Sequence, residues 1–432
     1  MAAFKALIVG GGVAGPALAH WLARIGAHVT LIERFPQIRA SGQQVDLRGQ
    51  GVVMMKKMGI EEAVRAAVVR EPGTQLIDIH GHVKAFFPAA TGGTERQSIT
   101  SEYEIMRGNL VKILYALTEN RPNVRHLFNT TITGFTQDDE ADPNGKVHVT
   151  FADGHQEDFD LVVGADGTGS RTRKVMLGPD APDPRHWLGG YIGYFSVKAE
   201  PGDSHRLTVC VLPGGRVRRI IMTRKDIPEL TRVYMMFRGK DAALDAAMKS
   251  GDLTQLKNAL ADLYQDGGWQ CERFMNALRH DPEANDLYFT PLEEVHLPKG
   301  SWSQGRVVLI GDAAHSSTAD GYGTTWGMVG AYILAGEIAT LLKRDKLSPT
   351  AVVIQAAKNY EDKFRPIATA SHGGSQWFEN LASPTSTWGI AILHAFARLV
   401  AYFRVDQMAG LSNKQSKWKL PKYPELDQAN EA

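Results

Sequence analysis

Apolar residues follow three different patterns along the chain, and each is typical of one kind of element. Short uninterrupted apolar runs are typical of strands buried on both faces of a parallel sheet, and they occupy residues 6–9, 28–32, 161–163 and 307–310. Apolar residues at helical spacing follow the first of these runs and also fill residues 324–344. Mixed or alternating runs, typical of antiparallel strands, occupy residues 190–197, 207–212 and 232–237. The pattern predicts an α/β protein in which a parallel-sheet domain interleaves with an antiparallel-sheet domain.

The turn between the first strand and the first helix is glycine-rich. Gly10, Gly12 and Gly15 have the G-x-G-x-x-G spacing of a dinucleotide site. The first glycine allows the tight turn, the second lets the backbone approach a pyrophosphate, and the third lets the helix pack closely on the strand. The helix begins near Val13 and Ala14, where unpaired N–H groups favour phosphate. The unit predicts a Rossmann-like domain.

Several polar residues after this unit are candidates for nucleotide contact. Glu33 ends the second strand, where an acid binds ribose hydroxyls and repels a 2′-phosphate, so the resident nucleotide is FAD or NAD. Arg34 follows it, and glycines bracket the short polar segment around Asp46, which indicates backbone lying against a ligand. Arg107 precedes a predicted helix, where a phosphate contact and a solvated position are equally open.

Two further strands run into glycine-flanked acids. Asp166 lies in the sequence Gly-Ala-Asp-Gly, with Arg173 seven residues later. This segment could bind a nucleotide, or it could be a tight turn whose aspartate caps a helix. Gly311 and Asp312 open the sequence Gly-Asp-Ala-Ala-His, and Gly323 leads into the helix of residues 324–344.

Candidates for substrate contact are aromatic. They lie in the predicted antiparallel sheet and beside the last glycines, at Tyr191, Tyr194, Tyr234 and Tyr322. For such a sheet face, the hydrophobic core is favoured over a substrate wall. No spacing in the sequence predicts a Ser-His-Asp triad or a metal cluster, so no catalytic side chain and no metal site is assigned.

Charge and cysteine content exclude several classes of function. The 432 residues carry 48 basic and 47 acidic side chains, a net charge of +1. This balance gives no electrostatic reason to expect nucleic acid or an anionic membrane as partner. Cys210 and Cys271 are far apart and are expected to be buried thiols. The first strand begins close to Met1, so we expect no signal or transit peptide and a reduced, cytoplasmic compartment.

Other segments of the sequence also predict secondary structure. We expect one helix over residues 52–69, a strand pair with its turn at His80 and Gly81, and a helix over residues 253–264. The apolar run of residues 388–403 is too short to span a bilayer comfortably and is expected to be a packed terminal helix rather than an integral membrane segment.

Together, the three glycine motifs resemble those of the group A, single-component FAD-dependent aromatic monooxygenases, the fold class of para-hydroxybenzoate hydroxylase. The third motif is the most diagnostic, because nicotinamide dehydrogenases have no reason to carry it. The segments at residues 42–48 and 54–59, together with Arg107, look most like the tetracycline-inactivating and fungal secondary-metabolite members. The resemblance covers nearly the whole chain.

The resemblance implies a role for each motif. The loop of Gly12 would hold the FAD pyrophosphate, Glu33 the adenosine ribose, and Asp312 the ribityl end. Arg107 and Asp46 would lie near the flavin. The helix after Gly323 would point its N-terminus at the pyrimidine edge of the flavin, where reduction places negative charge. The residues implied on the path of NADPH are Arg39, Asp166 and Arg173.

The implied activity is an NADPH- or NADH-consuming monooxygenase. It would transfer one oxygen atom from O2, through a flavin C4a-hydroperoxide, to an aromatic, indolic or polyketide-type metabolite by hydroxylation or epoxidation. The alternatives are a flavin-dependent dehydrogenase or oxidase and a non-catalytic binding protein on the same fold. A halogenase is disfavoured because the W-x-W-x-I-P signature is absent. The family's proline shortly after His315 is also absent, and this puts regiochemistry in doubt.

The resemblance also divides the chain. A discontinuous FAD-binding domain would comprise residues 1–75, 100–180 and 290–375. A substrate domain would comprise residues 76–99 and 181–289, and residues 376–432 would form a C-terminal helix and tail. Monomer and homodimer are both compatible with the sequence.

Overall fold

The computed structural model describes residues 4–38, 44–69, 72–89, 103–215, 217–317, 321–344, 347–370, 372, 384–403 and 418–427. Their arrangement is the predicted α/β architecture, with one mostly parallel sheet and one mostly antiparallel sheet.

The parallel sheet has six strands in the order β17-β18-β11-β1-β2-β7. All its pairs are parallel except β17 with β18. Its strands are β1 (Lys5–Val9), β2 (His28–Ile32), β7 (Val124–Leu127), β11 (Leu161–Gly164), β17 (Ser303–Gln304) and β18 (Val307–Leu309). The central strands are buried throughout because helices and loops cover both faces, which explains their uninterrupted apolar runs.

Helices surround this sheet. The helix α1 (Ala14–Arg24) packs against the long α10 (Gly323–Arg344), which in turn packs against α11 (Pro349–Ala368). By length and composition Gly323–Lys343 could cross a membrane, but 83% of its most apolar window is buried inside the protein. It is therefore a core helix.

The antiparallel sheet has seven strands in the order β16-β12-β15-β14-β13-β4-β5. They are β4 (Gly73–Ile77), β5 (Val83–Pro88), β12 (Arg185–Lys198), β13 (Leu207–Leu212), β14 (Arg218–Ile227), β15 (Leu230–Arg238) and β16 (Tyr288–Val295). Three helices, α6 (Ala242–Ser250), α7 (Leu253–Tyr264) and α8 (Cys271–His280), share a hydrophobic core with one face of this sheet. The predicted strands and the helix of residues 253–264 are confirmed. The strands β14 and β16 were not predicted.

Smaller elements connect the two sheets. The short strands β3 (Gln44–Asp46) and β6 (Glu104–Met106) pair, and β8 (Ile132–Gln137), β9 (Val147–Phe151) and β10 (Gln156–Phe159) form a third sheet. The helices are α4 (Arg107–Ala116), α5 (Arg171–Leu177), α9 (Asp312–His315), α12 (Thr387–Tyr402), α13 (Pro424–Asp427) and the 3₁₀ turn Pro282–Asp286.

The expected single helix over residues 52–69 is wrong. The structure has two helices there, α2 (Gln50–Lys57) and α3 (Glu61–Ala66). Between them Gly59 has φ +71°, a left-handed conformation that ends a helix. The apolar spacing continues across the break because both helices bury one face in the same core.

The C-terminal helix α12 packs on β5 through Ile390 and His394. Its other face carries exposed apolar side chains, including Trp388 and Phe396. Cys210 and Cys271 are both buried free thiols, as expected. Domain boundaries stay a prediction, although β4 and β5 do belong to the antiparallel sheet.

Candidate active site

The three glycine motifs converge because each follows the carboxyl end of one of three neighbouring parallel strands. The order β18-β11-β1 places Gly10, Ala165 and Gly311 side by side at one edge of the sheet. From β1 the chain continues to β2 on one side of the sheet, whereas the later strands β11 and β18 lie on the other side of β1. The strand order therefore changes direction at β1. Open α/β sheets bind ligands in the crevice at such a point.

Two glycines of the first motif are required by the packing of the protein itself. A Cβ on Gly10, which has φ +116°, would lie 2.4 Å from the carbonyl oxygen of Ala165. A Cβ on Gly15 would lie 2.0 Å from the carbonyl oxygen of Gly10. Any side chain at either position would therefore displace backbone.

Gly12 is different. The nearest atom to a Cβ built there is Nη2 of Arg107, at 3.6 Å, which is ordinary van der Waals contact. The loop and the start of α1, at Gly12, Val13 and Ala14, line an open cavity. The protein alone leaves room for a side chain at Gly12, so a ligand against the backbone is the natural reason for glycine.

Glu33 is bound to the same loop. Its Oε2 accepts a hydrogen bond from the Gly11 N–H at 2.8 Å, and its Oε1 accepts one from the Phe35 N–H at 3.0 Å. These bonds orient the carboxylate at the carboxyl end of β2, while each oxygen keeps a further lone pair. Arg34 is exposed, with its guanidinium 4.9 Å from the centre of the Phe35 ring.

In the second motif, the neighbours of Asp166 line the cavity, whereas Asp166 itself does not. The carboxylate of Asp166 accepts hydrogen bonds from the N–H groups of Arg171 and Thr172 and from the hydroxyl of Ser170. These contacts cap α5, which is the alternative role that the sequence left open. Ala165, Gly167 and Thr168 line the cavity beside it.

Arg173 lies behind the cavity wall and is almost fully buried. Its Nη1 donates to the carbonyl oxygen of Ala313 at 2.8 Å, and its Nη2 donates to that of Thr168. Burial lowers the pKa of Arg173 below its usual range, against the opposing effect of Asp166. The side chain thus ties the second motif to the third. Arg39, the remaining residue predicted on the NADPH path, lies outside the described residues.

The third motif faces the cavity through Gly311 and Asp312. Gly311 has φ +58°, and a Cβ there would lie 3.1 Å from that of Ala14. Asp312 is exposed to the open cavity, but the cavity walls limit its contact with bulk water, and this desolvation raises the pKa of Asp312, an effect that Arg107 opposes. His315 instead packs under Trp302, and burial lowers its pKa to about 3. It is therefore a neutral core residue.

Arg107 and Asp46 are brought together by the pairing of β3 with β6, and both line the cavity. Among the described residues, none forms a hydrogen bond or an ion pair with Arg107. Asp46 forms an ion pair with Arg48, while its Oδ1 is buried without a hydrogen-bond partner. Gly323 also lines the cavity, at the start of α10.

The cavity has a volume of about 620 Å³ and runs from the glycine motifs to the antiparallel sheet, within the usual range for ligand sites. Residues of β12, β14, β15 and β16 form its far wall, among them Ile192, Tyr194, Ile220, Met236 and Tyr288. Burial raises the pKa of Tyr194 above its usual range, so its hydroxyl stays protonated.

Of the four predicted tyrosines, only Tyr194 lines this cavity. Tyr191 points to the opposite face, where it stacks on Phe237 and donates a hydrogen bond to Asp245. Tyr234 is buried edge-on against Tyr194, and Tyr322 stacks on Trp326. Period-two alternation separates Tyr191 from Tyr194.

The sequence interpretation missed the residues that the unpredicted strands bring to the cavity. Arg218 on β14, Arg238 on β15 and Glu293 on β16 supply its charged groups at the sheet end. The signal for β14 was the apolar run of residues 220–222, which lies between Arg219 and Arg224. In the parts of the chain that the structure describes, no group of three or more His, Cys, Asp or Glu side chains could hold a metal ion.

Comparison with known proteins agrees with this geometry. Residues 3–186 match the family model of an FAD binding domain. The chain is 42% identical to the flavin-dependent monooxygenase eupH of Phoma sp, over 98% of both chains. It is 37% identical to the FAD-dependent monooxygenase asL4 of Sarocladium schorii, over 99% of both chains. The crystal structure of tetracycline destructase Tet(55) superposes with a TM-score of 0.74 at 26% identity, covering 98% of this chain and 99% of that one.

Proposed function

The chain belongs to the FAD-dependent monooxygenases, and from this membership we propose that it uses NADPH or NADH and O2 to oxygenate an electron-rich small molecule. The proposed substrate is an aromatic, indolic or polyketide-type compound, and the proposed outcome is hydroxylation or epoxidation. The relatives in Phoma and Sarocladium are fungal, which favours a role in secondary metabolism.

The observation that carries the proposal is the continuity of one cavity. It begins at the glycine loop and α1, passes Asp312 and Gly323, and ends against the aromatic and aliphatic face of the antiparallel sheet. A cofactor with its phosphates at Gly12 and its ring beside Gly323 would therefore share one continuous cavity with a substrate lying on Tyr194.

The residues present fit FAD. The open space at Gly12 and the N-terminus of α1 suit a pyrophosphate. Arg107, with no partner among the described residues, supplies a cation above that loop, and Glu33 suits ribose hydroxyls. Asp312 is a hydrogen-bond acceptor for the ribityl hydroxyls, and we also assign Asp46 to the flavin region.

The bound flavin would supply the redox chemistry, since it accepts hydride and activates O2. The chain's own residues orient the reactants and exclude water. Gly323 and Thr324, at the N-terminus of α10, line the cavity, and a helix N-terminus stabilises negative charge. The apolar sheet face, with Ile192, Ile220 and Met236, keeps the substrate side dry.

Two assigned groups act indirectly. Asp166 and Arg173 hold the second and third motifs in place through α5 and the carbonyl of Ala313. We propose that they affect NADPH use by positioning this wall of the cavity. The role of Arg39 on the nicotinamide path stays a proposal from the resemblance.

The test uses FAD-loaded protein, NADPH or NADH, and a panel of phenols and indoles under isotopically labelled O2. We expect nucleotide oxidation that a substrate accelerates, and a product that carries one labelled oxygen atom. An oxidised product without label, formed under nitrogen with an artificial electron acceptor, would instead identify a dehydrogenase. A protein that binds FAD but transfers no electrons would favour the binding-protein alternative.

A further inference from the structure

The C-terminal helix α12 exposes a line of apolar side chains along one face, which we call the α12 stripe. It consists of Trp388, Ile392, Phe396, Leu399, Tyr402 and Phe403. Successive members are mostly three or four residues apart, so they share one face of the helix. Among the described residues, twelve large apolar side chains are clearly exposed, and half of them belong to this stripe. Exposed apolar residues that occur singly are normal, whereas a contiguous patch marks a contact surface.

The opposite face of α12 already packs on the protein. Ile390 and His394 are buried, and the helix lies on β5. Nε of Arg398 donates a hydrogen bond to the carbonyl oxygen of Lys84 on β5 at 3.4 Å. The Ser386 hydroxyl oxygen caps the first turn by accepting from the backbone. The stripe therefore cannot turn inward unless the helix gives up these contacts.

The charges beside the stripe are compatible with a lipid surface that carries anionic headgroups. Apart from histidine, the charged side chains on α12 and β5 are Arg398 and Lys84, and neither element carries a carboxylate. The Lys84 ammonium pairs with Asp78 at 2.7 Å. Among the described residues, none forms an ion pair with Arg398. The surface next to the stripe therefore has excess positive charge.

The size and composition of the stripe suit a lipid surface better than a second copy of the chain. The 16 residues of α12 are about 24 Å long, and one face of a helix is about 10 Å wide. A stable protein interface buries about 800 Å² on each partner, which is more than this strip offers. An amphipathic helix that lies in the headgroup region needs no matching protein surface. Trp388 and Tyr402, near the two ends of the stripe, are residue types that favour the membrane–water interface.

We propose that the α12 stripe docks this protein on the surface of a lipid bilayer, with α12 lying in the plane of the headgroups. The helix does not span the bilayer, which would take about 20 residues. The net charge of +1 gives little attraction at a distance, so burial of the stripe holds the protein and Arg398 adds a preference for anionic lipid. The inference concerns where the protein acts and does not depend on the proposed reaction.

The experiment mixes FAD-loaded protein with vesicles of phosphatidylcholine, either alone or mixed with phosphatidylserine, and measures the bound fraction by flotation. The test variant carries Phe396→Ser and Leu399→Ser together. The matched control carries Ile227→Ser and Leu253→Ser, which remove two side chains that are each 43% exposed on other elements. A third variant is Arg398→Gln. Light scattering without lipid records the oligomeric state of each preparation.

We expect the wild type to bind both kinds of vesicle, and to bind those with phosphatidylserine several-fold more tightly. The test variant should bind at least about tenfold more weakly, because two large apolar side chains no longer enter the lipid. The matched control should bind like the wild type. Arg398→Gln should keep its affinity for phosphatidylcholine and lose most of the preference for phosphatidylserine.

A wild type that binds neither kind of vesicle, or a test variant that binds as tightly as the wild type, would overturn the inference. A wild-type dimer that the test variant dissociates, without vesicle binding, would assign the stripe to a second copy and also overturn it. Should the test variant fail to fold, Trp388→Phe gives an independent measurement. Brominated phosphatidylcholine should quench the tryptophan fluorescence of the wild type more than that of Trp388→Phe, and equal quenching would contradict docking through the stripe.

Discussion

The substitution Gly12→Ala should separate cofactor binding from folding. In the protein without FAD, the new methyl group meets only Nη2 of Arg107 at 3.6 Å, and Gly12 has no positive φ. Alanine should therefore leave the free energy of unfolding unchanged or raise it by about 0.4–1 kcal/mol, through the lower entropy of the unfolded chain.

The same methyl group occupies the space assigned to the FAD pyrophosphate. Losing one charge-assisted hydrogen bond from the loop costs about 1.5–3 kcal/mol, and we expect FAD affinity to fall about 10- to 100-fold. The matched variant is Gly15→Ala, whose Cβ would lie 2.0 Å from the carbonyl oxygen of Gly10. Because backbone must move there, we expect that variant to lose about 1–3 kcal/mol of folding stability.

Two assays distinguish these effects. Urea unfolding of the FAD-free proteins, followed by tryptophan fluorescence, measures stability, and quenching of FAD fluorescence measures affinity. Wild-type FAD affinity in Gly12→Ala would refute the assignment of Gly12 to the pyrophosphate. Destabilisation of Gly12→Ala as large as that of Gly15→Ala would refute the argument from open space.

Three further outcomes follow from the site and the core. Asp312→Ala should purify mostly as colourless protein, and normal flavin content would remove Asp312 from the cofactor site. Tyr194→Phe should change the Michaelis constant for substrate several-fold, as measured by steady-state kinetics. Tyr191→Phe should instead lower the free energy of unfolding by about 1 kcal/mol, because the hydrogen bond to Asp245 is lost, as measured by urea unfolding. Burial lowers the pKa of His20 and His315 to about 3, so the unfolded state binds more protons between about pH 6.5 and 3. As pH decreases through this range, the free energy of unfolding should therefore fall by about 1.4 kcal/mol per pH unit for each histidine. If the free energy of unfolding of His315→Gln fell just as steeply as that of the wild type, this expectation would be contradicted.

The glycine motifs could be predicted from the sequence because their signal is local. Each is a short glycine run directly after a buried apolar strand, and parallel strands bring their carboxyl ends to one edge. The FAD-dependent monooxygenase resemblance and the fold class are confirmed for the same reason. The roles of Gly12, Glu33 and Asp312 stay predictions, although the structure brings Gly12 and Asp312 to one cavity and places Glu33 against its loop.

The far wall of the cavity could not be predicted, because tertiary structure decides which face of a strand is used. Tyr191 and Tyr194 are equivalent in the sequence, yet alternation sends them to opposite sides of the sheet. Pro291 interrupts the apolar pattern of β16, which concealed that strand.

The most direct test of the central claim is the visible absorbance of the purified protein during a redox cycle. The protein, as isolated or after incubation with FAD, should show bound-flavin bands that NADPH or NADH bleaches without oxygen and that oxygenated buffer restores. A colourless protein that takes up no added FAD would contradict the assignment of the cavity to the flavin. Bound flavin that neither nucleotide reduces would contradict the proposed reaction.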